Sequence, residues 1–116
     1  MKNNVIAEKS KKFAVRIVKL YKHLCDAKTE FVMSKQILRS GTSIGANVHE
    51  ALQAQSRSDF IHKMNIALKE ASETEYWLEI LHETEFISSD EYKSIADDCS
   101  EINKILISII KTSKEN

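Results

Sequence analysis

The chain has 116 residues, enough for one modest hydrophobic core, and a single domain is predicted over residues 1–116. Hydrophobic residues make up 42% and charged residues 29%, but there is no proline and there are only two glycines. These counts exclude most β-sheet and doubly wound α/β folds, whose turns and phosphate loops need those residues. The 17 basic residues balance the 17 acidic ones, so no global field attracts nucleic acid or an anionic membrane.

Four amphipathic segments follow one another along the chain. Apolar residues recur at heptad spacing over about residues 4–26, 32–55, 59–84 and 90–114. The four stripes are of similar length, and the connections between them are short. This pattern predicts an all-α fold, an antiparallel up-down-up-down four-helix bundle.

The predicted helix ends carry capping chemistry. Ser56 or Ser58 can cap the third helix, and Asp59 then lies in its first turn, where the helix dipole favours an acid. Ser88 and Glu91 have the spacing of a capping box at the start of the fourth helix.

The two glycines, Gly41 and Gly45, both lie inside the second predicted helix. The segment does not follow a strand, as a phosphate loop does, and it is not part of an apolar twenty-residue helix, as a membrane dimer motif is. A glycine inside a helix costs up to about 1 kcal/mol relative to alanine. We therefore expect another helix to pack closely over both glycines.

The two cysteines, Cys25 and Cys99, lack metal-ligand spacing, and no apolar signal segment precedes them. We interpret both as buried thiols in a reducing, cytoplasmic compartment. The longest strongly apolar stretch, residues 105–110, is far shorter than a membrane span.

Two helices have more apolar surface than one bundle core can cover. Residues 105–110 are apolar around most of the fourth helix, and the third helix carries a second apolar row beside its core stripe. Such extra faces favour association. We predict a homo-oligomer whose interface includes Ile66, Trp77, Ile80, Ile107 and Ile110. The alternative is a wide core-facing stripe at a crowded helix end.

Charge is unevenly distributed. Residues 1–28 contain eight basic and two acidic side chains, whereas residues 58–85 contain seven acidic and two basic ones. This asymmetry favours electrostatic pairing within or between subunits. The alternative is a nucleic-acid face on the first helix, formed by Lys9, Lys11, Lys12, Arg16, Lys19 and Lys22.

Enzymatic chemistry is weakly indicated. Glu79 and His82 have the Glu-x-x-His spacing of di-iron bundles, which need a second such pair from another helix. The one near match, Asp59 and His62, lies on the same predicted helix. We therefore predict a non-enzymatic protein with no metal and no cofactor.

A continuous polar line follows one face of the second helix. Arg39, Ser43, Asn47 and Glu50 recur at steps of four, four and three residues. We interpret the line as a hydrogen-bonded polar seam between helices or subunits, because a bundle must satisfy the polar groups that it buries. Contact with a ligand is the alternative.

Around these residues the sequence resembles a known family. The resemblance rests on residues 36–40, 43–44, 47–50, 56–60 and 67–78. They look like the bacterial four-helix-bundle family named for open reading frames within intervening sequences of 23S ribosomal RNA genes, also labelled S23 ribosomal protein. The resemblance implies a bundle that assembles into a ring, typically a homopentamer. Similar proteins include the accessory protein of diversity-generating retroelements, a basic ring that binds nucleic acid and its reverse transcriptase.

The expected function is that of a non-enzymatic homo-oligomeric ring, either a scaffold or an accessory that binds RNA or DNA. The alternative is a protein-protein interaction module whose basic and acidic helices pair across subunits. A metal enzyme that uses Glu79 and His82 is the third hypothesis. Because the net charge is zero, attraction to phosphates is confined to the first helix.

Overall fold

The computed structural model describes residues 2–115 as four antiparallel helices. Helix α1 spans Lys2–Asp26, α2 spans Met33–Ala51, α3 spans Arg57–Glu83 and α4 spans Ser89–Glu115. Each helix packs against two neighbours, in the order α1, α2, α3, α4 and back to α1. Helices α1 and α3 therefore lie diagonally across the bundle, as do α2 and α4. This architecture confirms the predicted all-α four-helix bundle.

One core runs along the bundle axis. The predicted heptad rows supply the side chains that are completely or almost completely buried: Ile6, Ile17, Leu24, Ile37, Ile44, Met64, Leu78, Leu81, Ile102 and Leu106. Burial of each such side chain stabilises the fold by about 1.5–3 kcal/mol, so the stripe that defined the helices also holds them together.

The predicted close packing over the two glycines is confirmed. An ideal Cβ atom on Gly41 would lie 2.7 Å from Cγ1 of Ile17, and one on Gly45 would lie 3.1 Å from the carbonyl oxygen of Ser10. Both neighbours belong to α1. The glycines thus let the α1 and α2 backbones approach each other more closely than side chains would permit.

The caps predicted for α3 and α4 are also confirmed. The Asp59 amide donates to the Ser56 hydroxyl over 3.0 Å. In the capping box, the Glu91 amide donates to the Ser88 hydroxyl, and the Ser88 amide donates to the Glu91 carboxylate. Helix α2 ends earlier than predicted, at Ala51 rather than near residue 55, because extended backbone at Ser56 leaves residues 52–55 to reverse the chain.

Two connections at the same end of the bundle turn sharply without glycine. Thr29 has a φ of 51° and Glu85 a φ of 66°, in the left-handed region that glycine adopts most easily. Both glycines of the chain instead lie where α1 and α2 pack together.

Within residues 2–115, no helix is both long enough and apolar enough to cross a bilayer.

Candidate functional surfaces

Two of the six basic residues predicted as a nucleic-acid face are engaged by α4. The Arg16 guanidinium donates to the Asp98 carboxylate and to the Ser94 hydroxyl, each over 2.7 Å. The Lys9 ammonium lies 2.6 Å from the Glu101 carboxylate, and this hydrogen-bonded contact raises the pKa of Lys9. These pairs join α1 to α4 and neutralise both cations.

The other four of these six residues, all on α1, face solvent. Lys12 pairs with Glu8 one turn earlier, over 3.0 Å. Three lysines have no carboxylate partner within residues 2–115: Lys11, Lys19 and Lys22. By helical spacing they surround Val15, which is 50% exposed. We call these three lysines with Val15 the α1 basic patch.

The predicted polar seam lies between α2 and α3, and its two end residues, Arg39 and Glu50, form ion pairs with residues of α3. The Arg39 guanidinium donates to the Glu73 carboxylate over 2.7 Å and lies 3.7 Å from the Glu70 carboxylate. At the other end, the Lys63 ammonium donates to the Glu50 carboxylate over 3.0 Å. The seam therefore links two helices of one subunit.

The two middle residues of the seam bond back to their own helix. The Ser43 hydroxyl donates to the Arg39 carbonyl over 2.6 Å, and the Asn47 amide donates to the Ser43 carbonyl over 2.8 Å. The polar line is thus satisfied locally in its centre and by ion pairs at its ends.

The predicted apolar interface residues are not brought together on one surface. Ile66, Trp77 and Ile80 lie half-buried on α3, where the Trp77 indole donates to the Glu73 carboxylate that also binds Arg39. Ile107 lies on α4 and is 53% exposed.

The prediction that Ile110 belongs to an outer face is wrong. It is only 7% exposed and packs in the core of its own subunit. Ile110 follows Leu106 by one turn on the core side of α4, and the bundle encloses Ile109 as well. Ile110 therefore belongs to a wide core-facing stripe, which was the alternative to an oligomer interface.

Helix α3 presents an acidic surface that includes an aromatic residue missed by the sequence reasoning. Glu79 and Glu83 are exposed and have no cationic partner within the described part of the chain. Tyr76, three residues before Glu79, is 57% exposed. We call these three residues the α3 acidic patch. The pKa of Tyr92 on α4 is raised, mainly because the side chain is partly buried and secondly because the negative charges of Glu79 and its neighbours on α3 lie close to it.

Of the Glu79 and His82 pair considered for metal binding, His82 instead contacts helix α4. The His82 ring stacks on Tyr92 with centroids 4.5 Å apart, and its Nε2 lies 3.1 Å from the Ser89 hydroxyl. No group of three or more His, Cys, Asp or Glu side chains arranged to hold a metal ion occurs within residues 2–115.

The two cysteines differ in burial. Cys99 is fully buried, and this burial raises the pKa of its thiol to about 12. Cys25, predicted to be buried, is only half-buried, with its sulfur 3.7 Å from the Ser34 hydroxyl. It lies in the last turn of α1, beside the first turn of α2.

Comparison with known proteins identifies a family and a similar solved structure. The family model for the 23S rRNA-intervening sequence protein matches residues 2–108. A crystal structure from Bacteroides thetaiotaomicron, described as a protein with unknown function from the S23 ribosomal protein family, superposes with a TM-score of 0.95. It is 69% identical, and the match covers 96% of this chain and 99% of the other. No curated protein matches the chain.

Proposed function

The chain belongs to the 23S rRNA-intervening sequence protein family, and from this premise and the surfaces of the bundle we propose that it is a non-catalytic scaffold subunit. In this proposal the subunits assemble into a ring, a homopentamer as the family resemblance implies, in the cytoplasm. The observation that carries the proposal is that one subunit presents both the α1 basic patch and the α3 acidic patch, with Val15 50% and Tyr76 57% exposed within them. Complementary charged surfaces on the same subunit favour association between copies.

The ring is tested by light scattering after size-exclusion chromatography. We expect the mass of a pentamer of 13.3 kDa chains, with no dependence on added ligand. A chain that stays monomeric at high micromolar concentration would contradict the scaffold. A stable oligomer of another size would keep the scaffold and correct the pentamer.

A nucleic-acid-associated role is a second candidate, favoured by the α1 basic patch. Among the described residues its three lysines have no carboxylate partner, so they can contact phosphates, which supply most non-specific affinity. In this candidate the partner is RNA or DNA. In the alternative interaction module, the same lysines contact protein.

Replacing Lys11, Lys19 and Lys22 together with alanine is expected to weaken binding to a mixed RNA and DNA pool regardless of sequence. The dependence of log affinity on log salt should flatten by about one unit for each phosphate that the variant no longer neutralises, as measured by fluorescence anisotropy across a salt series. The matched control is Arg16→Ala, because Asp98 already neutralises Arg16. Unchanged affinity in the triple variant would remove the nucleic-acid candidate.

A further inference from the structure

The two charged patches point away from each other. Helices α1 and α3 each contact α2 and α4, and they lie on a diagonal of the bundle. Val15 and Tyr76 face away from the core rows of their helices. One subunit therefore carries the α1 basic patch on one side and the α3 acidic patch on the opposite side.

The relative heights of the patches follow from contacts across the bundle. Ile17 of α1 packs on Gly41 of α2, and the adjacent residue, Ser40, accepts a hydrogen bond from Thr74 of α3. Ile17 and Thr74 therefore lie at nearly the same level. The contacts through α4 give the same relative height. Arg16 of α1 binds Asp98 of α4, and the thiol of the adjacent residue, Cys99, donates to the carbonyl of Ala71 on α3, three residues before Thr74.

The spacing of side chains on the two patches also matches. On α1, Val15 is followed by Lys19 and Lys22, which come four and seven residues later. On α3, Tyr76 is followed by Glu79 and Glu83, which come three and seven residues later. Helices α1 and α3 run in the same direction, so one patch can lie along the other with an apolar contact at one end and two opposite-charge pairs beyond it.

A further pair of opposite charges continues this register. Glu8 lies seven residues before Val15, and Lys69 lies seven residues before Tyr76. In this alignment, Val15 of one subunit lies beside Tyr76 of the next subunit. Within one subunit, Val15 lies about four residues below Tyr76, measured along the direction of α1. Neighbouring subunits would thus be staggered by about 6 Å along the bundle axis, at 1.5 Å per residue.

We propose that the α1 basic patch of one copy docks on the α3 acidic patch of the next copy, with Lys19 against Glu79 and Lys22 against Glu83. This inference rests on the proposed homo-oligomer and names the contact that builds it. Each copy has one patch on each side, so the contact is heterologous. It generates a ring when its rotation closes, which requires the bundles to be inclined to the ring axis so that the stagger leaves no net translation, and an open filament when it does not close. The apolar contact between Val15 and Tyr76 forms the centre, and the charge pairs fix the partner and the direction.

Charge reversal tests this contact. The variant Lys19→Glu/Lys22→Glu has two acidic patches, and the variant Glu79→Lys/Glu83→Lys has two basic ones. We expect each to lose the oligomer and to elute at the monomer mass, with helicity by circular dichroism unchanged. The four-fold variant, in which both patches are reversed, should regain the oligomer, because opposite charges face each other again.

The matched control is Lys93→Glu/Lys104→Glu, which reverses two exposed lysines on α4 and should leave the oligomer intact. A wild-type monomer would overturn the scaffold itself. A wild-type oligomer whose mass is unaffected by either patch reversal would overturn only this inference. Failure of the four-fold variant to reassemble would also overturn it. Nucleic-acid binding through the same lysines is distinguished by nuclease treatment, which would dissolve an oligomer held together by RNA or DNA and would leave an oligomer held by this contact intact.

Discussion

Replacing Gly41 with alanine is expected to lower the free energy of unfolding by about 2 kcal/mol, the cost of overpacking a well-filled core. In an open helix site the same change raises stability by up to about 1 kcal/mol. At Gly41 the new methyl carbon would lie 2.7 and 2.8 Å from the two γ carbons of Ile17, well inside the usual carbon contact of about 3.5–4.0 Å. Ile17 is fully buried and β-branched, so its χ1 cannot easily change, and α1 must move away from α2. Urea unfolding should show a lower midpoint with the same slope.

A double-mutant cycle with Ile17→Ala tests whether this contact is the cause. Ile17→Ala alone removes both γ carbons and leaves a cavity, at a cost of about 2–5 kcal/mol. The alanine at position 41 can then occupy part of that space. We expect the double variant to lose less stability than the two single changes added together, by about 1 kcal/mol or more. Additive losses would show that the methyl group at position 41 does not meet Ile17.

The packing of Gly41 was predictable from the sequence because the signal is local. A glycine inside a helix is unfavourable unless something approaches it, and the heptad rows already showed which face of α2 is covered. Ile17 and Leu106, which belong to the apolar residues at heptad spacing in α1 and α4, are core residues in the structure. Periodicity and propensity act over one or two helical turns, so they reveal the elements and their buried faces.

The ion pairs of α1 could not be derived in this way. Arg16 and Asp98 are 82 residues apart, and their contact depends on which helices are neighbours. The charge asymmetry indicated pairing between a basic and an acidic segment, and the most acidic segment lies on α3. The topology instead places α4 beside α1, and Asp98 and Glu101 supply the carboxylates. Glu79 and Glu83 of α3 remain exposed for the same reason.

The start of α2 shows a different limit of the sequence analysis. Caps are recognised by a serine, threonine, aspartate or asparagine immediately before the helix, but Val32 occupies that position and makes no side-chain cap. The cap comes from Glu30, two residues earlier. Its carboxylate accepts hydrogen bonds from the amides of Val32, Met33 and Ser34, over 3.1, 3.1 and 2.7 Å. The usual capping patterns do not include a glutamate two residues before the N-cap position, so the cap by Glu30 could not be predicted from the sequence.

Replacing Glu30 with alanine is expected to lower the free energy of unfolding by about 2 kcal/mol, because hydrogen bonds to a charged group contribute about 1.5–3 kcal/mol and loss of a cap costs about 0.5–2 kcal/mol. Glu30 is only 9% exposed, so water cannot fully replace the carboxylate. Chemical unfolding measures the loss. The matched control is Glu85→Ala, at the other connection on the same end of the bundle, where the carboxylate accepts no hydrogen bond from the part of the chain that the structure describes. An equal loss in both variants would contradict the capping role.

The free energy of unfolding should also depend on the charge of the Glu30 carboxylate in the acid pH range. Burial raises the pKa of Glu30, but the three backbone donors outweigh it and leave the pKa below its ordinary value of 4.5. A depressed pKa in the folded state means that the stabilisation is fully present above the unfolded pKa and is lost as the pH falls through the folded pKa. Glu30→Gln keeps the shape of the side chain without the charge, so the stability difference between wild type and this variant should shrink as the pH falls below about 4.5. The depressed carboxylates Glu8 and Glu91 are present in both proteins and cancel in this difference. A difference that stays constant across the acid range would show that the charge of Glu30 does not stabilise α2.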